Sequence, residues 1–443
     1  MIGIYMFGAA LLLLAVGYPV AFSFGAVSMA FGAIAAWFEI MPDGGTMIDF
    51  YDEFLSMFSM MPFRIYAIMT NKILLAVPLF IFMGIVLQKS HLAERLLESM
   101  GTLFGKVRGG VAISTVLVGT MLAASTGVVG ASVVAMGVIS LPVMLKYGYN
   151  RPLACGTICA SGTLGQIIPP SIILIILADV FGVPVGDLFK AAVVPSLILV
   201  GAYIVYILII SYVNPSIAPA IPTDETKTKG QNIIIALKSI IPPLTLIVVV
   251  LGSIFAGVAT PTESASVGAI GSLILALLYR EFSFKLMIDS SKETVKITAM
   301  VFAILIGATA FSMVFVYTGA DEIVETFMTS LPGDKWGFLI LSMGIILFLG
   351  FFIDFIEISY IVVPILLPIA NTIGIDPIWF AILIAMNLQT SFLTPPFGFS
   401  LFYLKGVAKD IKTTDIYKGV IPFILIQILV LATIVLFPKF YGF

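Results

Sequence analysis

The sequence predicts an all-α polytopic membrane protein made of two inverted-topology repeats, each with a re-entrant helical hairpin and a discontinuous helix. Three observations lead to this fold class. The composition is strongly apolar, prolines and glycines recur at one fixed spacing, and the charges beside equivalent segments have opposite signs in the two halves of the chain.

The composition indicates the solvent in which the chain folds. Hydrophobic residues make up 60% of the 443 positions and charged residues 10%, and the mean hydropathy is +1.16, far from the balance of a soluble domain. Apolar stretches that satisfy the length of about 20 residues needed for a spanning helix recur along nearly the whole chain. The net charge of −2 and the lack of a basic patch exclude nucleic-acid binding. We expect a lipid bilayer as the environment and no nucleic acid as a partner.

Few side chains could support catalysis or bind a transition metal. His91 is the only histidine, and Cys155 and Cys159 are the only cysteines. A histidine-rich metal site or a serine-histidine-aspartate triad would have to be built on His91 alone, among Lys89, Glu94 and Arg95, where a solvated loop or an interfacial position is favoured. The two cysteines lie one turn apart in an apolar segment, where packing is favoured over a redox pair. We therefore expect no cofactor.

The polar stretches between apolar segments define the order of elements. A linker at 214–231, rich in proline, threonine, lysine and acidic residues, separates a first repeat at 1–213 from a second at 232–443. The first repeat is predicted to contain two crossings over 3–37, a loop over the polar stretch at 39–53, a span over 65–88, an interfacial segment over 89–108, a hairpin over about 111–146, a broken helix over about 153–180 and a helix over 189–213. The second is predicted to contain helices over 233–255 and beyond 260, an interfacial arm at 280–296, a span over 297–318, a hairpin over about 335–370, a broken helix over about 378–407 and a span over 417–437.

Proline pairs break two of these helices. Pro169 and Pro170 lie in the apolar run of the first broken helix, and Pro395 and Pro396 lie in the second. Neither proline of a pair has a backbone N–H, and each clashes with the preceding turn. Inside hydrocarbon, a broken helix is tolerated only where its unpaired backbone groups face protein, ions or a wet cavity. Both breaks are therefore candidate sites.

The spacing between the proline pairs recurs elsewhere and indicates a duplication. Pro395 follows Pro169 by 226 residues, and the same offset relates Pro142 to Pro368 and Gly148 to Gly374. It also places the predicted hairpin tip at 124–127 on residues 350–353.

Charge predicts that the two copies are inverted, because short cytoplasmic loops carry an excess of Lys and Arg. Basic residues precede the first hairpin and acidic residues precede the second: Lys89, Arg95, Lys106 and Arg108 against Asp321, Glu322, Glu325 and Asp334. The first hairpin should open to the cytoplasm and the second to the opposite side. Both tips and both breaks would then meet near the membrane midplane, where secondary transporters bind substrate.

The chemistry expected at the breaks is neutral and oxygen-rich. Carbonyls of an ending half-helix suit cations, and N–H groups of a starting half-helix suit carboxylates. Hydroxyl oxygens compatible with Na⁺ occur at Ser125, Thr126, Ser161, Thr163, Ser171, Thr390, Ser391 and Thr394. The alternative for each is a hydrogen bond to the preceding helical turn.

Three acids near apolar runs are further candidates. Asp354 and Glu357 lie in the second hairpin, where an ionisable group is costly and indicates function. The alternative for both is a position near water. Glu263 could serve a site or the N-terminus of a helix.

Four motifs resemble those of the large membrane (DctM-type) subunit of tripartite ATP-independent periplasmic (TRAP) transporters. The motifs are Ala76-Val77-Pro78-Leu79-Phe80, Gly162-Thr163-Leu164-Gly165 with Ile168-Pro169-Pro170-Ser171, Thr260-Pro261-Thr262-Glu263-Ser264-Ala265, and Thr394-Pro395-Pro396-Phe397-Gly398. The resemblance covers essentially the whole chain. It implies an elevator-type, sodium-coupled importer of organic acids in the bacterial inner membrane, working with a small four-helix membrane subunit and a periplasmic substrate-binding protein.

The resemblance also implies site residues. One sodium site would use the first hairpin tip with the first break, namely Ser125, Thr126, Gly127, Gly165, Ile168 and Pro169; the other would use Gly350, Ser391, Thr394 and Phe397. Substrate contacts are assigned to Ser161, Thr163, Ser171, Asp354 and Thr390. The first tip departs from the family's serine-glycine-serine-serine, because Ser125-Thr126-Gly127 is followed by two valines. This tip resembles the branch associated with mannitol or chloroaromatic compounds, and we expect a small monocarboxylate or 2-oxo acid as substrate.

Three other functions are compatible with parts of the pattern. They are an ion-coupled carboxylate transporter that needs no binding protein, a channel, and an intramembrane enzyme. The enzyme is disfavoured because neither break has a paired-carboxylate, histidine or serine-lysine arrangement at a plausible spacing.

Overall fold

The computed structural model describes residues 1–104, 107–126, 129–220 and 229–443, and within these ranges every side chain except those of residues 93, 102, 123–126 and 229–232. The described residues form helices joined by turns, and no strand occurs among them. The predicted all-α fold is confirmed.

The helices follow the chain in this order. The first eleven are α1 (Ile2–Val16), α2 (Val20–Ile40), α3 (Met47–Met57), α4 (Met61–Met69), α5 (Ala76–Lys89), α6 (Leu92–Phe104), α7 (Gly110–Thr126), α8 (Val129–Lys146), α9 (Arg151–Thr163), α10 (Ile172–Phe181) and α11 (Val185–Val213). The others are α12 (Lys229–Phe255), α13 (Pro261–Leu278), α14 (Phe284–Tyr317), α15 (Ala320–Thr329), α16 (Lys335–Leu349), α17 (Phe355–Glu357), α18 (Val363–Thr372), α19 (Pro377–Leu393), α20 (Phe399–Val407), α21 (Thr413–Leu436) and α22 (Pro438–Tyr441). A 3₁₀ turn at Leu164–Gln166 follows α9, and a π-helical turn at Ile358–Val362 joins α17 to α18.

Many of these helices are long and apolar enough to cross a bilayer. Eight in the described ranges satisfy both requirements, among them α11, α12, α14 and α21. The chain is therefore a multi-pass membrane protein.

The chain forms two compact units, and each unit draws on both halves of the sequence. Unit 1 comprises Met1–Leu74 and Lys296–Pro377, and unit 2 comprises Leu75–Val295 and Ile378–Phe443. The second predicted hairpin, at 335–370, belongs to unit 1. The first hairpin and both broken helices belong to unit 2.

Unit 1 is organised around the aromatic face of α14. The Phe311 ring contacts Phe24 of α2 and Phe7 of α1 edge-on, at centroid distances of 5.1 and 6.2 Å. The Tyr317 hydroxyl lies 2.6 Å from Glu39 Oε2 and 2.5 Å from Glu53 Oε1. These contacts attach α14 to α1, α2 and α3.

The loop predicted over 39–53 is wrong for most of its length, because α3 begins at Met47. Thr46 and Asp49 form a capping box, in which the Thr46 N–H donates to Asp49 Oδ2 at 2.7 Å and the Asp49 N–H donates to Thr46 Oγ1 at 3.3 Å. Three of the acids that suggested a loop, Asp49, Asp52 and Glu53, lie on the polar side of α3, an amphipathic helix in which only Met57 is buried.

Unit 2 is held together by close helix crossings at glycine. The backbones of Gly156 in α9 and Gly419 in α21 touch, so that a Cβ on either residue would collide with backbone atoms of the other helix. Gly162 of α9 packs directly on Val133 of α8. At the edge of the unit, Arg95 of α6 forms a 2.6 Å ion pair with Glu281.

Helix boundaries follow the 226-residue offset that relates the proline pairs. α8 ends at Lys146 and α18 at Thr372, while α9 begins at Arg151 and α19 at Pro377. The glycines between them, Gly148 and Gly374, both have positive φ, at 77° and 72°. The inversion of the two halves across a membrane stays a prediction.

Glu263 has a structural role at the start of α13. Its Oε2 accepts hydrogen bonds from the Thr260 N–H at 2.8 Å and the Thr260 hydroxyl at 2.9 Å, and its N–H donates to Thr260 Oγ1, which completes a capping box. The sequence left two roles for Glu263, a site residue or a residue at the N-terminus of a helix. The structure supports the second role.

We expect Thr260→Val to lower the thermal unfolding temperature, because the loss of an N-cap hydroxyl costs about 1 kcal/mol. Ser266→Ala is the matched control, since Ser266 in the same helix donates only to the Thr262 carbonyl of the preceding turn. An equal shift in both variants, measured by thermal unfolding in detergent, would contradict the capping role.

Candidate functional site

The first break, defined here as residues 164–171, lies between α9 and α10. Pro169 and Pro170 have no N–H, so the carbonyls of Gly165 and Gln166 lose their helical donors four residues ahead. The Ser171 hydroxyl replaces one of them by donating to the Gln166 carbonyl at 2.7 Å. The Gly165 carbonyl, a predicted sodium ligand, is the one that Pro169 leaves without its helical donor.

The second break, defined here as residues 394–398, repeats this arrangement between α19 and α20. Pro396 cannot donate to the Phe392 carbonyl, which instead accepts from the Ser400 hydroxyl at 2.8 Å. Phe392 follows Gln166 by the same 226 residues, so a serine hydroxyl compensates for the second proline at both breaks. The Thr394 N–H donates to the Ser391 carbonyl at 3.1 Å.

Contacts within unit 2 place the two breaks beside each other. The Cys159 thiol of α9 donates to the Ser400 carbonyl of α20 at 3.7 Å. The Phe181 ring at the end of α10 contacts Phe380 near the start of α19, with centroids 5.9 Å apart. The two broken helices therefore run antiparallel, and both breaks fall between these contact points.

Five of the eight predicted hydroxyl ligands donate to the preceding helical turn, which is the alternative role considered for them above. Their hydrogen bonds are Ser161 to the Ile158 carbonyl at 3.0 Å, Thr163 to Ala160 at 3.0 Å, Thr390 to Met386 at 2.9 Å, Ser391 to Leu388 at 2.8 Å and Thr394 to Thr390 at 2.7 Å. A hydroxyl that donates its proton keeps lone pairs that can bind a cation. This geometry is therefore compatible with both roles.

Unit 2 brings together most of the predicted site residues. Those at or beside the two breaks are Gly165, Ile168, Pro169, Ser391, Thr394 and Phe397 of the sodium set, and Ser161, Thr163, Ser171 and Thr390 of the substrate set. Most of them are buried, but Phe397 is 44% exposed. Ser125 and Thr126 end α7, also in unit 2, and their side chains are not described. Gly127 lies outside the described residues.

Two predicted site residues belong to unit 1. Gly350 follows the last residue of α16, and Asp354 precedes α17, where its Oδ1 accepts from the Phe355 N–H at 2.7 Å. Glu357 ends α17 and is 3% exposed.

Two buried glutamines beside the breaks were not among the sequence candidates. Gln166 lies in the 3₁₀ turn of the first break, and Gln389 lies in α19, one turn before the second. Both are fully buried, and neither amide has a hydrogen-bond partner among the described residues. The signal was present in the sequence, since Gln166 is the one carboxamide in the apolar run of the first broken helix.

The two breaks, with their compensating serines and repeated helix boundaries, make the comparison with known proteins informative. The sequence model of the family described as "Tripartite ATP-independent periplasmic transporter, DctM component" matches residues 7–440. The chain belongs to this family. The predicted family is thus confirmed, and because the family consists of transporter permeases, the intramembrane-enzyme alternative is dismissed.

Individual TRAP relatives agree with this assignment. The chain is 32% identical to the C4-dicarboxylate TRAP transporter large permease protein DctM of Pseudomonas aeruginosa, over 82% of this chain and 84% of the relative. It is 30% identical to the isethionate TRAP transporter permease protein DctMQ of Oleidesulfovibrio alaskensis, over 96% of this chain and 64% of that protein.

A solved transporter shares the fold. The crystal structure of the Alcanivorax borkumensis YdaH transporter, described as having an unusual topology, aligns with a TM-score of 0.62 at 13% identity, covering 88% of this chain and 90% of that one. At this identity the likeness concerns the fold alone.

Proposed function

We propose that this TRAP large permease imports a small organic acid across the bacterial inner membrane, coupled to Na⁺ and operating by an elevator mechanism. The observation that carries the proposal is the pair of breaks in unit 2, where prolines remove the helical N–H donors of backbone carbonyls and serine and threonine hydroxyls lie beside those carbonyls. Neutral oxygens of this kind suit a hard monovalent cation.

The absence of basic residues at the breaks supports coupling to a cation. Residues 153–181 and 377–398 contain no Lys or Arg. A substrate carboxylate bound there would have no cationic side chain on these segments to balance its charge. A bound Na⁺ supplies that charge, so that acid and cation enter together.

The relatives' names support an anionic substrate. One relative is named for C4-dicarboxylates and the other for isethionate, which is a sulfonate. Both are small organic anions. We propose a small monocarboxylate or 2-oxo acid for this chain, bound in unit 2 by Ser161, Thr163, Ser171 and Thr390.

Two partner proteins complete the proposed system. The family description specifies one component of a tripartite periplasmic transporter, and the relative named DctMQ extends well beyond the region that this chain matches. We propose a small four-helix membrane subunit and a periplasmic substrate-binding protein as the other components. A system without a binding protein is the alternative that the experiment below distinguishes.

Uptake into proteoliposomes tests this function. The permease, its small subunit and the binding protein loaded with a radiolabelled candidate acid are assayed with an inward Na⁺ gradient or an equal K⁺ gradient. We expect saturable uptake that requires both Na⁺ and the binding protein. Uptake driven equally by K⁺ would contradict sodium coupling, uptake without the binding protein would support the alternative, and unsaturable flux would indicate a channel.

A further inference from the structure

Three glutamines in unit 2 are fully buried, namely Gln166, Gln389 and Gln427. The amides of Gln166 and Gln389 have no hydrogen-bond partner among the described residues, whereas Gln427 lies beside the Tyr203 hydroxyl. An unpaired buried amide is unfavourable, because both its oxygen and its NH₂ group lose their bonds to water. A buried amide without a protein partner is retained when a bound ligand forms hydrogen bonds with it, or when the rest of the fold compensates for the loss of stability.

Position separates the first two glutamines from the third. Gln166 is within the first break, next to the Gly165 carbonyl that Pro169 leaves without a helical donor. Gln389 lies two residues before Ser391, a predicted sodium ligand. Gln427 lies in the middle of α21, where the chain is continuous and helical. The two unpaired carboxamides thus accompany the two breaks, and the third buried glutamine does not.

The 226-residue repeat does not account for the two carboxamides. Gln166 corresponds to Phe392 and Gln389 to Thr163, so neither position is a glutamine in the other copy. Each break nevertheless has one buried carboxamide within about one turn. The repeated framework therefore does not require either residue, and a shared ligand chemistry is the simpler explanation.

We propose that the carboxamides of Gln166 and Gln389 are ligand-binding groups of the transport site, with Oε1 coordinating the coupling cation and Nε2 donating to the substrate carboxylate. An amide oxygen is a hard, neutral ligand of the kind that Na⁺ accepts, and an amide NH₂ provides two donors and no charge. One side chain would thereby contact both the cation and the anion. This inference rests on the sodium coupling proposed above.

Na⁺ alone is the first probe. The purified full-length protein is titrated with NaCl at constant ionic strength, balanced with choline chloride, and the unfolding temperature reports binding. We expect Gln166→Leu and Gln389→Leu each to raise the half-saturating Na⁺ concentration at least about tenfold, which corresponds to about 1.4 kcal/mol. Gln166→Glu and Gln389→Glu retain a side-chain oxygen and should retain the Na⁺ response.

Gln427→Leu is the matched control. It replaces an equally buried amide of the same unit, which lies beside the Tyr203 hydroxyl and away from both breaks, by an apolar group of similar size. We expect its Na⁺ response to equal that of the wild type. If the Leu variants at 166 and 389 also respond like the wild type, the proposal is overturned.

Uptake by the Glu variants tests the donor half of the proposal. With the acid that the wild type transports in the proteoliposome assay, Gln166→Glu and Gln389→Glu should bind Na⁺ but import the acid at least about tenfold more slowly, because a carboxylate repels the substrate where an NH₂ group donates to it. Wild-type uptake would overturn the donor role. A wild-type protein that Na⁺ does not stabilise would instead refute the sodium coupling itself, which separates the two failures.

Discussion

Substituting alanine for Gly156 or Gly419 should prevent unit 2 from reaching its native packing. A Cβ on Gly156 would collide with the Gly419 carbonyl, and a Cβ on Gly419 would collide with the Pro152 carbonyl. Both obstacles are backbone atoms, so no side-chain rotation relieves them, and α9 and α21 must move apart. Overpacking of this kind costs about 1–3 kcal/mol or more, and we expect a lower yield of monodisperse protein and a lower unfolding temperature.

The crossing also positions the site, because α9 leads into the first break and α21 follows the second broken helix. Gly201→Ala in α11 and Gly406→Ala in α20 are matched controls, since a Cβ added at either position has no heavy atom within 4 Å apart from the adjacent residues and backbone of its own helix. Alanine is the better helix former by about 1 kcal/mol, so these variants should be as stable as the wild type. Equal behaviour of all four variants in size-exclusion chromatography and thermal unfolding would contradict the close contact between α9 and α21.

Removing the Thr394 hydroxyl should weaken sodium-driven transport while leaving the fold intact. Thr394 begins the second break, and its hydroxyl oxygen keeps lone pairs after donating to the Thr390 carbonyl at 2.7 Å. Loss of one such ligand, worth about 1 kcal/mol or somewhat more, should raise the Na⁺ concentration for half-maximal uptake about tenfold in Thr394→Ala.

Thr245→Ala is the control for this variant. Thr245 makes the same bond to its preceding turn, donating to the Ile241 carbonyl at 2.8 Å, but it lies in α12, away from both breaks. We expect its sodium dependence to be that of the wild type. An unchanged sodium dependence in Thr394→Ala, measured in the same proteoliposomes, would remove Thr394 from the cation site.

The sequence predicts the breaks well because their cause is local. A proline pair removes two N–H groups wherever it occurs in a helix, so the interruption beside Pro169 and Pro170 follows from chain chemistry alone. The compensating bonds from Ser171 and Ser400 depend on a similarly short reach along the chain. The hydroxyl and backbone candidates could be named for the same reason.

Other features depend on contacts between distant segments. The acids at 39–53 suggest a loop, but a capping box at Thr46 starts an amphipathic helix there. The division into two units depends on tertiary packing that pairs 1–74 with 296–377. The sequence shows Gln166 as a lone carboxamide in an apolar run, but only the structure shows that the amides of Gln166 and Gln389 have no partner among the described residues, since a glutamine in a sequence carries no sign of its hydrogen bonds.

The central claim is that the two breaks bind Na⁺ and an organic acid together, and coupled flux measures this most directly. Proteoliposomes containing the complete transporter are supplied with ²²Na⁺ and with the acid bound to its binding protein, and the entry of both is followed over the same interval. We predict that each acid molecule enters with a fixed number of Na⁺ ions, and that Na⁺ entry stops when the acid is withheld. Acid uptake without accompanying ²²Na⁺ entry would contradict the account.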